Sequence, residues 1–123
     1  MLDAKALGAK FGICLDCCDI GEYVNENFNA ANATLTFDGV TTHPMSAKGV
    51  MVKSQIISMK FFSMLSHTDR PEYTEGHEGY IWLKAINSET GKTVMKFDIR
   101  AHALEKFEAR KNELRNALNI INN

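Results

Sequence analysis

Apolar and polar residues alternate in some stretches of this 123-residue chain and recur at helical spacing in others. In residues 32–41, Leu35 and Phe37 point one way and Thr34, Thr36 and Asp38 the other, the two-residue period of a half-buried strand. Residues 92–101 repeat the pattern, with Met95, Phe97 and Ile99 on one face and Val94, Lys96, Asp98 and Arg100 on the other. Residues 79–87 read as their hairpin partner, joined through the turn Asn87-Ser-Glu-Thr-Gly91. Residues 10–16 read as a short buried strand, followed by a polar connection over 17–29. Residues 45–65 predict a helix whose core face is Ala47, Val50, Met51, Ser54, Ile57, Ser58, Phe61 and Met64. The same helix carries a second apolar set, Val52, Ile56, Met59 and Phe62. A helix with one partner needs one stripe, so the second predicts another covering surface: more of its own fold, or a second copy of the chain. The segment from His67 to Gly79 is a polar loop, and residues 103–121 form a second helix with Leu104, Phe107, Leu114, Leu118 and Ile121 at helical spacing.

Strand, helix, strand, strand, helix is the split β-α-β order of a ferredoxin-like, two-layer α+β sandwich, with an antiparallel sheet and both helices on one face. The full plan has a last strand beside the first. The sequence stops straight after the second helix, so that strand is expected to be missing and its edge open. Residues 10–16 are a candidate to fill it.

Composition narrows the function. Lys plus Arg is 14 and Asp plus Glu is 15, for a net charge of -1 with no basic stripe, which argues against nucleic acid as a partner. No apolar run is long enough to span a membrane and the first residues have no signal layout, so a cytoplasmic protein is expected. Cys14, Cys17 and Cys18 are an odd, clustered set that does not make a disulfide framework, and Cys14-x-x-Cys17 lacks the second pair of a structural zinc site.

Four segments carry a family likeness: Glu26-Asn27-Phe28-Asn29-Ala30-Ala31; His43-Pro44-x-x-Ala47-Lys48-Gly49-Val50-Met51-Val52; Pro71-Glu72-x-Thr74-Glu75-Gly76-x-Glu78-Gly79; and Arg100 followed by Lys106-Phe107-Glu108-Ala109-Arg110-Lys111. In this order they resemble the lid, or dimerisation, domain of the peptidase T family of zinc-dependent aminotripeptidases. The resemblance implies residues 1–22 as a catalytic-domain strand and connection, and 23–123 as an incomplete lid. It implies a homodimer, a peptide substrate in the parent enzyme, and zinc held by a separate catalytic domain. No zinc is expected on this part alone, which is expected to be inactive by itself.

The same resemblance implies roles for three residues. Asp16 ends a run similar to the strand whose aspartate binds metal, although Cys17 and Cys18 stand where the family has two glycines, and one carboxylate is insufficient for zinc. His43 matches a lid histidine that stabilises the oxyanion in the partner's active site; as a residue alone it reads as a capping or surface histidine at a helix start. Arg100 matches an arginine that binds the substrate carboxylate; as a residue it reads equally as a sheet-face arginine paired with Asp98. His67, His77 and His102 have no motif behind them and are taken as surface residues, His77 standing where the family usually has an aromatic. The dimer surface is expected on Val52, Ile56, Met59 and Phe62. The alternative to a lid module is a stand-alone ferredoxin-like protein that binds a peptide or small molecule through His43 and Arg100.

Overall fold

The alternating segments form the sheet. A computed structural model describes residues 5–8, 10–12 and 19–123. Its strands are β1 (Asn29–Asp38), β2 (Tyr80–Glu89) and β3 (Lys92–Ala101), antiparallel in the order β1-β3-β2. The central strand β3 pairs Ala31 with Ile99, Leu35 with Met95 and Phe37 with Thr93 on one side. On the other it pairs Ile81 with Ile99 and Leu83 with Phe97. The register slips between Leu83 and Ala85, placing Lys84 where its Nζ donates to Asp98 Oδ2 at 3.2 Å. The hairpin turn is tighter than expected: β2 runs on to Glu89, and Thr90-Gly91 alone make the connection.

Both helices, α1 (Ser54–Ser63) and α2 (Leu104–Asn122), lie on one face of this sheet. The core is the inward residues of the strands packed on Phe61, Leu65, Phe107, Leu114 and Ala117. Phe61 is at its centre, fully buried, with Phe37 at 5.4 Å and Phe97 at 6.1 Å between ring centroids, tilted or edge-on as aromatic quadrupoles prefer. The expected α+β, ferredoxin-like arrangement of an antiparallel sheet with two helices on one face is what the structure has.

Two expectations fail locally. The first helix starts at Ser54, not at 45. Pro44–Ser46 is a single 3-10 turn, Gly49 has φ +75°, and Val52 pairs with Val40 in an isolated antiparallel bridge. A left-handed glycine and β-branched Val50 and Val52 favour turn and extended backbone over a continuous helix. The buried face of α1 therefore begins at Ser54 and continues through Ser58 and Phe61. Ser54 fits because its hydroxyl meets that of buried Thr93 at 3.0 Å. In α2, Leu104 is exposed, and the core side instead includes Arg110, whose guanidinium donates to Asp69 at 2.9 Å and to the Gly79 carbonyl at 3.3 Å. A charged group is tolerated there because it is paired.

The expected strand over 10–16 extends into residues outside the described ones, as do Asp16 and the three cysteines.

Candidate functional site

The end of the sheet where β1 begins and β3 finishes gathers three of the segments singled out in the sequence. Arg100 pairs with Ala30 on β1 and Tyr80 on β2. Its Nη1 donates to the carbonyls of Ile99 (2.9 Å) and Ala31 (3.2 Å), and Nη2 lies 3.7 Å from Asp98 Oδ2. The guanidinium carbon is 6.0 Å from the centre of the Phe28 ring. These contacts hold a planar cation in one orientation with only two of its five N–H donors committed to carbonyls. Both readings of Arg100 thus have a structural basis: it faces Asp98, and it also lines a pocket of about 280 Å³ with Phe28, Thr74, Tyr80 and His102.

Gly79 shapes this pocket. Its φ is +76°, and a Cβ there would collide with the carbonyl oxygen of Arg100 and with Ala101. Only glycine lets the 71–79 loop cross β3 so closely while turning into β2.

His102 and His77 also come to this end, which their separation in sequence does not announce. Their rings are edge-to-face with centroids 4.3 Å apart, and the His77 Nε2 contacts a carboxylate oxygen of Glu26. The hydrogen bond from His77, reinforced by its charge, holds the Glu26 carboxyl below the usual glutamate range. His77 and Glu26 are exposed, whereas the Nδ1 of His102 is buried and has no hydrogen-bond partner among the described residues. His77 and His102 are therefore not unconnected surface histidines.

His43 is at the opposite end. From Ala30 to Asp38, β1 advances about 26 Å at 3.3 Å per residue, and His43 follows beyond it. Its neighbours Thr42 and Pro44 line a groove of about 910 Å³ with Val40, Met51, Ile56 and Ser88. Exposed itself, His43 caps the 3-10 turn, its Nδ1 accepting from the Met45 N–H at 3.3 Å. That bond assigns the proton of a neutral imidazole to Nε2 and leaves it as an outward donor.

Of the four apolar residues expected at a dimer surface, Val52 (43% exposed), Ile56 (56%) and Met59 (54%) are open. Phe62 is not on the same footing. It is half-buried, packs against the core, and carries the Arg70 guanidinium 4.5 Å from its ring centre.

The peptidase dimerisation domain family matches residues 25–122. This chain belongs to that family. The dimerisation domain is also similar, over nearly its whole length, to part of several larger proteins. It is 44% identical to peptidase T of Staphylococcus carnosus, over 98% of this chain and 30% of that protein. It is 44% identical to peptidase T of Clostridium perfringens, over 95% of this chain and 30% of that protein. It is 40% identical to a peptidase T-like protein of Yersinia pestis, over 89% of this chain and 27% of that protein. The chain thus spans about 30% of the length of these relatives. The kinship with peptidase T expected from the four segments is borne out. No helix among the described residues is long and apolar enough to cross a membrane.

The donor set tests the zinc centre that the resemblance implies. Among the described residues, the one gathering of three histidine or carboxylate groups is Glu26, His77 and His102. It lies wholly within the lid, whereas the resemblance puts the zinc in a separate catalytic domain, so the described part of this dimerisation domain does not fit that centre.

Proposed function

We propose that this chain acts as the lid and dimerisation domain of a peptidase T-like metallo-aminotripeptidase, an enzyme that releases the N-terminal residue of tripeptides. Residues 1–22 would be the catalytic-domain strand and connection, and 23–123 the lid. The observation that carries this reading is the placement of His43 and Arg100 at opposite ends of one sheet. No single copy brings both to one small peptide. In a dimer, each lid can offer Arg100 to one active site and His43 to the other.

The chemistry of each residue suits that division. Arg100 has N–H donors left to pair with a peptide carboxylate in two parallel bonds, beside the apolar face of Phe28. His43 presents Nε2–H outward, a donor apt for an oxyanion that develops as a peptide bond is attacked. Zinc belongs to the catalytic domain, to which Asp16 would contribute one ligand. There it supplies an activated water and a positive charge for the reaction. Self-association uses the exposed stripe of α1, Ile56 and Met59 with Val52 beside it, because an apolar surface of that kind on a small domain marks a partner. The setting proposed is cytoplasmic, and the partners are a second copy and, in the whole enzyme, a peptide.

Titration of this chain with a tripeptide tests the reading, followed by NMR and by product analysis with zinc or cobalt added. The expected result is no turnover and no saturable binding, since each half of the site is incomplete in one lid. Saturable binding to the lone domain that disappears on Arg100→Ala would overturn it in favour of a stand-alone binding protein.

A further inference from the structure

We propose that Glu26, His77 and His102 form a binding site for one late first-row divalent cation, of which zinc is the best match. The three residues come from the approach to β1, the 71–79 loop and the segment between β3 and α2, so nothing local in the sequence links them. Their ligand atoms all lie within 4.8 Å of one another. Tetrahedral zinc with bonds of about 2.0–2.1 Å holds its ligands about 3.3 Å apart, so closing the site asks for movements on the order of one ångström. The side chains that must move can do so. His77 and Glu26 are 66% and 58% exposed and turn in solvent, while the half-buried ring of His102 is the fixed member.

Two features point to a cation rather than to a chance cluster. Two imidazoles and a carboxylate are a donor set that zinc uses at sites with an open fourth position. The buried Nδ1 of His102 has no hydrogen-bond partner among the described residues, an atom that a native interior rarely leaves so. Ligation would replace the proton that His77 shares with Glu26 by the metal and release it to solvent. The site adjoins the Arg100 pocket, which His102 also lines, so the bound ion would fix the 71–79 loop against the end of β3.

The test must separate this site from the cysteines, which bind zinc in any thiolate form. Cys14, Cys17 and Cys18 are therefore replaced together by serine in the full chain. Zinc chloride is titrated in by calorimetry, and the imidazole signals of the four histidines are followed by NMR. One equivalent should bind, moving the signals of His77 and His102 while those of His43 and His67 stay. Cobalt should give weak visible bands without sulfur-to-metal charge transfer. His77→Ala, at an exposed position, should weaken binding more than about tenfold, because even groups behind the ligands are worth about 10–100-fold at metal sites. His102→Gln should do the same with circular dichroism unchanged, and His43→Ala should have no effect. The proposal is overturned by a cysteine-free chain that does not bind zinc, by affinity that survives His77→Ala, or by equal loss on His43→Ala.

Discussion

Gly79→Ala and Gly76→Ala form a pair that isolates one contact. Both glycines have positive φ, +76° and +52°. An L-residue in that region costs about 1–2 kcal/mol, and both variants incur it. They differ in what the new methyl meets. At Gly76 the space is open, whereas at Gly79 a Cβ collides with the Arg100 carbonyl and with Ala101. Backbone atoms in the central strand cannot swing aside as a side chain can, so overpacking adds about 1–3 kcal/mol. The expected totals are about 1–2 kcal/mol for Gly76→Ala and about 2–5 kcal/mol for Gly79→Ala. With a urea slope of about 2 kcal/mol/M for a small domain, the midpoints should fall by roughly 0.5–1 M and 1–2.5 M. Urea unfolding followed by circular dichroism measures both. NMR of the Arg100 side chain should also report a changed environment for Gly79→Ala alone. Equal losses in the two variants would refute the close crossing of the loop over β3.

Phe61→Ala removes the ring that touches both Phe37 and Phe97 and should cost about 3–5 kcal/mol; thermal unfolding that is displaced by only a degree or two would contradict its central place. Asp69→Ala strands the buried Arg110 guanidinium and should cost about 3 kcal/mol, near the low end for such a pair because Asp69 keeps some access to water. Arg110→Met with Asp69→Ala should recover part of that loss, and an unchanged deficit in the double variant would show that the pairing is not its cause. Phe62→Asp should unfold the domain, since the ring packs on the core under Arg70, and a folded variant by circular dichroism would place Phe62 on the outer stripe instead.

The sheet was legible because β1 and β3 keep a two-residue period: Leu35 and Phe37, then Met95, Phe97 and Ile99, fall on the buried face without interruption. The start of α1 was not, because Ala47, Val50 and Met51 mimic helical spacing over a segment that is a turn followed by a bridge. Gly49 was the local warning, since a glycine inside a helical pattern costs stability and often marks a left-handed turn. Arg110 could not be placed in the core from its type, because only the tertiary partner Asp69 makes its burial tolerable. His43 and Arg100 were singled out by resemblance, and the fold adds what the sequence lacked, the length of β1 between them. The meeting of Glu26, His77 and His102 was not legible, and the two histidines read as separate surface residues. They are brought together by the chain's return from β3 and by the 71–79 loop, and no periodicity or spacing encodes such a meeting. The one available signal was the histidine standing at position 77 in place of an aromatic.

Sharing His43 and Arg100 between two sites requires self-association, here through α1, and the most direct measurement of it is solution mass by light scattering after gel filtration, over a dilution series, for this chain and for Ile56→Asp with Met59→Asp. Both positions are more than half exposed, so the substitutions should leave the circular dichroism unchanged. A dimer that withstands dilution and becomes a folded monomer in the double variant is the predicted result. A monomer at all concentrations, or a dimer indifferent to both charges, would contradict it.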